Sequence, residues 1–345
     1  MDFILLLTSV CVVLLIAFDY TNGFHDTANM VAATVATHAM SPSQAIVVVS
    51  VFTFLGPIFG GTAVAETVGQ FVQLEESAPA AAIAVVVAGV MGATTWNLLT
   101  WWRGLPSSSS HALVGGLVGA VVLSAGPDHV HWGWRELLDD GRWEGVTKII
   151  AALLLSPLAG FCTGLLFFKL VHGALLRRAT PRVNGPLRRL QWLGAAWLAF
   201  SHGANDGQKS MGIITLVLML GGFISEFVVP FWVMICCALA ITLGTMSGGW
   251  RIVRTVGFGI YRLRPVHGLG SQLAAASVIS GAAAFGGPVS TTHVVSSAIM
   301  GVGAADRPKS VRWGKAGELL FTWLVTVPST ALLSAGIWYL IKGLL

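Results

Sequence analysis

Asn22, His25, Asp26 and Asn29 fall within eight residues of one another, in the stretch Asn22-Gly23-Phe24-His25-Asp26-Thr27-Ala28-Asn29. The stretch lies between helix-length apolar runs, in a chain where only 10% of residues are charged. Inside a bilayer a carboxylate, an imidazole and two amides are costly groups, and by default functional ones. The pattern returns 180 positions later as Gly203-Ala204-Asn205-Asp206-Gly207-Gln208-Lys209, with His202 just before it. At about 100° per residue, Asn22, Asp26 and Asn29 share one helical face, as do His202, Asp206 and Lys209. A second duplicated set is made of hydroxyls: Ser107, Ser108, Ser109 and Ser110 after Pro106, and Ser290, Thr291 and Thr292 after Pro288, at an offset of 182. Proline suits a first helical turn. The hydroxyls therefore sit at helix N-termini, where free N–H groups and the positive dipole end can seat a tetrahedral oxyanion. A bare carboxylate would repel such an anion, so Asp26 and Asp206 need a proton or a cation when it binds. That is the wiring of a symporter.

The elements that would position these groups are membrane spans. Residues 3–18, 45–65, 79–101, 149–171, 227–249 and 316–341 are apolar runs of bilayer-spanning character, and 192–221 repeats the apolar–polar–apolar pattern of the N-terminus. Gly104-Leu105-Pro106 and Gly286-Gly287-Pro288 each hinge a pair of small-residue runs into a hairpin. Gly23 and Gly203 let the chain bend or unwind, which predicts a helix broken or bent at each polar stretch. The segment 172–191 holds Arg177, Arg178, Arg182, Arg188 and Arg189 without an acid and reads as a basic cytoplasmic linker. It divides a first membrane repeat, 1–171, from a second, 192–345. With the basic loops inside and the acidic loops outside, the halves carry the same elements in opposite orientation. The fold expected is an all-α polytopic membrane protein with inverted-topology repeats, broken helices and hairpin-like re-entrant segments. Arg103 is the one charge that this orientation does not place simply.

Composition agrees with that class. The 345 residues are 55% hydrophobic, with mean hydropathy +0.78 and 13 tryptophans. The net charge of +5 is gathered in short loops, which argues orientation and excludes a nucleic-acid surface. Asp2 stands where a signal peptide would be basic, so the N-terminal run reads as the first span. Cys11, Cys162, Cys236 and Cys237 lack metal or redox spacing and read as packing residues. His25 and His202 can be read as satisfied polar residues, and Glu66 and Glu226 as solvated span ends.

At these residues the chain closely resembles the PiT family of inorganic phosphate transporters. The duplicated signature stands here as GFHDTAN at 23–29 and GAND at 203–206, and the paired hairpin motifs as GLPSSSSH and GGPVSTTH. The likeness runs over essentially the whole chain and is nearest the bacterial low-affinity branch. It implies proton or sodium symport of phosphate in a multi-pass protein of a bacterial cytoplasmic membrane. In that branch it further implies proton symport of neutral metal–phosphate complexes, the divalent ion travelling as cargo. Where many relatives carry Asn in a Phe-Asn-Phe-Leu-Gly stretch, this chain has Thr53, which weakens the likeness there.

The resulting expectation is a transporter, not an enzyme, working by alternating access and possessing neither cofactor nor resident metal. Ser107, Ser108, Ser109, Ser110, Ser290, Thr291 and Thr292 would bind phosphate, with Lys209 adding fixed positive charge. Asp26 and Asp206 would carry the coupling proton or sodium, with Asn22, Asn29 and Asn205 completing the polar shell. The partners expected are phosphate, a coupling cation and the lipid bilayer, with room for a homodimer. Two competitors stand beside this reading. One is a sulfate or other oxyanion symporter of the same fold; the other is an intramembrane serine hydrolase built on Ser110 beside His111 or Thr292 beside His293.

Overall fold

The computed structural model describes residues 2–74, 77–176 and 184–344. Among them the first half of the chain forms α1 (Asp2–Ala36), α2 (Pro42–Phe59), α3 (Ala63–Gly69), α4 (Pro79–Arg103), α5 (Ser109–Ser124), α6 (Trp134–Asp139) and α7 (Gly145–Leu176). The second forms α8 (Asn184–Leu220), α9 (Phe231–Ser247), α10 (Trp250–Gly259), α11 (Pro265–Ala284), α12 (Thr291–Asp306) and α13 (Trp313–Ile341). Helices α1, α2, α4, α7 and α13 are each long and apolar enough to cross a bilayer, and α9 with α10 makes a bent sixth. Polarity is arranged inside out. Leu154, Leu158, Phe321 and Leu324 are more than half exposed, while Asp19, Asp26, Asp206 and Lys209 are buried. This is an all-α polytopic membrane protein whose backbone polar groups are satisfied within helices.

The repeat is visible in the packing. Helix α2 lies on α8 as α9 lies on α1, α3 lies on α8 as α10 lies on α1, and α4 meets α1 as α11 meets α8. The halves do not pack as separate bodies. The α4–α5 hairpin closes against α13 from the other half, and the α11–α12 hairpin closes against α7. The result is a central scaffold of α1, α2, α8 and α9 with two exchanged three-helix arms. Glycines make these contacts close: Gly119 lies on Ala331, and Gly160 and Gly164 lie on Val294 and Ala298.

Two expectations change here. The helices carrying the polar stretches are unbroken at Gly23 and Gly203. The break falls instead between α9 and α10, which are bent 71° apart at Gly248-Gly249. The signature glycines serve proximity: a Cβ on Gly23 would collide with the carbonyl oxygen of Ile241 in α9, and one on Gly203 with that of Thr53 in α2. The segment read as a linker also narrows, because α7 runs to Leu176 and α8 starts at Asn184. Its centre, 177–183, with Arg177, Arg178 and Arg182, lies outside the described residues.

Candidate functional site

The two hairpin tips bring the hydroxyl clusters to the middle of the molecule. Gly104, in the left-handed region at φ 68°, caps α4 and turns the chain toward α5. Ser108 then caps α5 by accepting from the amide of His111 at 3.2 Å, and Ser290 caps α12 by accepting from His293 at 3.3 Å. One member of each cluster is thus spent on holding its helix start. The tips touch: Ser110 Oγ lies 3.3 Å from the carbonyl of Val289, and the rings of His111 and His293 meet at 4.6 Å, tilted by 31°.

Helices α1 and α8 deliver the signature residues to this junction, and each reaches the opposite half's hairpin. Asn29 donates to Thr292 Oγ1 at 3.0 Å, and Lys209 donates to Ser110 Oγ at 2.5 Å. Thr292 donates to Asp26 Oδ1 at 3.2 Å. The Thr291 hydroxyl faces both carboxylates, Asp206 Oδ2 at 2.9 Å and Asp26 Oδ2 at 3.2 Å. It has one hydrogen for two acceptors. Lys209 also pairs with Asp206 and donates to the carbonyl of Val289 at 3.0 Å. All of the residues that contribute side chains here are at most 3% exposed.

Histidines flank both carboxylates, and here the sequence reading fell short. His25 Nδ1 lies 2.8 Å from Asp26 Oδ1, while its Nε2 faces Thr100 at 3.3 Å and Ser107 at 3.4 Å. With Nδ1–H donating to the carboxylate, Nε2 is left to accept from the hydroxyls. His202 Nδ1 stands 3.1 Å from Asp206. One oxygen of Asp26, one of Asp206 and a ring nitrogen of His202 lie within 4.8 Å of one another, a spacing that a small cation could bridge. These roles were open to inference, because position 25 in the first repeat aligns with Asn205 and position 22 with His202.

The other expected residues stand as follows. Ser107 belongs to the His25 end of the site and Ser109 is buried in the first turn of α5. Asn205 straps the second hairpin by donating to the carbonyl of Gly287 at 3.0 Å. Asn22 is buried, with Oδ1 unpartnered. Thr53 turns its hydroxyl onto the sulfur of Met30 at 3.3 Å, away from the carboxylates. The hydrolase geometry is not formed, since Ser110 is held by Lys209 and Thr292 donates to Asp26. A residue with no place in the motifs is Asp19, fully buried on α1, which accepts from Ser210 of α8 at 2.5 Å.

Two cavities open on opposite ends of the scaffold in related positions. One, of about 620 Å³, is lined by Gln70, Gln73, Asp128, His129 and Leu216 at the ends of α3 and α8. The other, of about 530 Å³, lies at the ends of α10 and α1 and is lined by Thr37, Arg188, Arg262, Arg264 and Arg312. Beside it, burial acts upward on the Asp306 carboxyl. The hydroxyl of Tyr261, at 2.7 Å, with His267 and Arg264, outweighs burial and holds the group below its ordinary value.

The model of the Phosphate transporter family matches residues 22–334. A protein of Bacillus subtilis (strain 168) named "Probable low-affinity inorganic phosphate transporter" is 40% identical, over 99% of this chain and 99% of its own. One of Rhizobium meliloti (strain 1021) with the same name is 42% identical, over 92% of this chain and 91% of its own. A solved structure named "The sodium-dependent phosphate transporter" shares the fold with a TM-score of 0.88 at 23% identity, covering 98% of this chain and 100% of that one.

Proposed function

The chain belongs to the phosphate transporter family, and on that premise we propose that it moves inorganic phosphate with a coupling proton, by alternating access, in a bacterial cytoplasmic membrane. The observation that carries this reading is that the donors it assigns to the anion are engaged by carboxylates. Thr291, Thr292 and Lys209 serve Asp26 and Asp206, and Asn29 and Ser110 are tied to the same cluster. Phosphate must take these donors over. The carboxylates release them when protonated, so proton and phosphate favour each other's binding and neither site needs to move first. Charge counting agrees: one lysine faces two buried carboxylates, leaving one negative charge for a proton or cation to balance. A phosphate that retains a proton can also donate to a carboxylate, which sulfate at neutral pH cannot.

The opposed cavities and the doubled scaffold support alternating access, each arm presenting one hairpin tip to the shared site. A sodium-coupled reading also has an observation behind it. The Asp26, His202 and Asp206 atoms within 4.8 Å suit a cation, and the solved structure of the same fold is named for sodium dependence. In either reading no cofactor resides in the protein, and a divalent ion enters only as cargo with phosphate.

Phosphate uptake into proteoliposomes separates these readings when the pH gradient, sodium and magnesium are varied independently. Accumulation driven by inward acid without sodium is expected, together with weak competition by sulfate. Uptake that needs sodium and ignores the pH gradient overturns the proton assignment, and no phosphate exchange under any condition overturns the function.

A further inference from the structure

Asp19 is the buried acid that the doubled site does not use. It lies seven residues before Asp26 on the same face of α1, ~10 Å away by helical rise. Its side chain is 0% exposed. Oδ1 accepts from Ser210 at 2.5 Å, and Oδ2 has no hydrogen-bond partner. Leu15 and Phe18 on its own helix and Met211 beside Ser210 belong to an apolar cluster around this part of the α1–α8 seam. A carboxyl so placed, with the Ser210 hydroxyl and the weakly donating Cys237 thiol beside it, is costly to bury as an anion, and taking up a proton relieves that cost.

The repeat shows that this pair is no by-product of the duplication. At the 180-residue offset Asp19 aligns with Ala199 and Ser210 with Met30, so neither partner has a polar counterpart. The titratable groups that reach Asp19 are Asp206 and Lys209 from α8 and Cys237 from α9. Among the other helices packed on α1, α2 brings no titratable residue, α4 only Arg103 at its hairpin end, α11 only His267, beside Gly268 that meets Thr37, and α12 His293 and Asp306, on the helix that meets Asn29. α10 brings Arg251 and Arg254 at the opposite end of α1, where Gly257 meets Ala32.

We propose that Asp19 is a second proton-binding site of the transport cycle, distinct from the Asp26–Asp206 pair. The proton is taken from solvent onto Oδ2 and returned to solvent on the other side, with no bond made or broken elsewhere. Lys209 links it to the substrate. Phosphate drawn to Lys209 masks the one positive charge near Asp19 and adds a negative one, so the proton on Asp19 is held more firmly while phosphate is bound. The inference rests on the phosphate reading above and adds a proton that the paired site does not count.

The test compares the full-length protein with Asp19→Asn and Asp19→Glu after reconstitution. It measures phosphate exchange at equal pH and net uptake under a pH gradient. Asp19→Asn is expected to keep exchange, lose most acid-driven accumulation and flatten the pH profile, while Asp19→Glu restores the pH dependence. An unchanged pH profile in Asp19→Asn overturns the proposal, and so does loss of exchange in a normally folded variant. If Asp19→Asn does not assemble, Ser210→Ala decides. Removing the donor to the carboxylate should move the pH profile to higher pH, and an unmoved profile counts against the proposal. A parent protein that exchanges phosphate but accumulates it only on sodium also overturns it and leaves transport standing. A parent that exchanges no phosphate fails the underlying reading instead.

Discussion

The two halves of the site come from the same repeat yet solve the problem of a buried carboxylate differently. Asp26 is held by neutral donors, the hydroxyls of Thr291 and Thr292 with the imidazole of His25 beside it. Asp206 is held by a full charge, Lys209, which stands where the first half has Asn29. The imidazole has changed place as well. It precedes the carboxylate by one residue in the first half and by four in the second, trading positions with an asparagine. Duplication kept the backbone, the carboxylate, the imidazole and one amide, and let the charge become lopsided. Asp26 thereby has no cation paired with it within its own repeat, while Asp206 has Lys209 three residues away.

The sharpest way to break this comparison is to neutralise each acid in turn. Asp26→Asn should abolish coupled phosphate uptake while the protein still reaches the membrane at normal levels. Asp206→Asn should also abolish uptake but lower stability by about 3–5 kcal/mol, because it strands the buried ammonium of Lys209. Thermal unfolding in detergent checks the difference, and equal stability losses would dissolve the asymmetry. Lys209→Asn makes the halves alike. It should raise the phosphate KM by roughly tenfold, about 1.4 kcal/mol, through loss of fixed charge. The double change Asp206→Asn with Lys209→Asn should recover most of the lost stability, a coupling that a double-mutant cycle measures.

Smaller effects test whether the supporting packing is as symmetric as the site is not. Gly23→Ala and Gly203→Ala should each cost roughly 1–3 kcal/mol by forcing α1 from α9 and α8 from α2. Their melting temperatures should fall together. Last, the Asp306 carboxyl is held below its unfolded value, so its contribution is present above about pH 4, the ordinary carboxylate range, and is lost as pH falls through the depressed folded value. Tyr261→Phe should shrink that acid-side loss, which a melting series in acidic buffer would detect.

Much of this was legible in the chain. Two polar stretches and two hydroxyl clusters in the same order, at nearly the same offset, announce a doubled site because chance does not repeat both. The glycine reading went astray for a physical reason. A bend and a close helix crossing both select a residue without Cβ, and the local sequence is the same until the neighbour, Ile241 or Thr53, is known. Asp19 is not legible in the sequence because one acid at the end of an apolar run looks like a span boundary. Only the continuation of α1 without interruption to Ala36 shows it to be interior. The exchange of α7 and α13 between arms was also hidden, since periodicity states which face of a helix is small or apolar and not which helix covers it.

That exchange governs the order in which the molecule can be built. The α4–α5 hairpin finds its third helix only in α13, and its small-residue contacts, Gly92 against Ser334 and Gly115 against Thr330, stay open until that helix arrives. The other hairpin arises when its partner, α7, is already in place. One arm can close during synthesis and the other must wait, so assembly is limited by a contact between distant parts of the chain. Damage to α13 would therefore be felt first as a failure to mature rather than as a fault in transport.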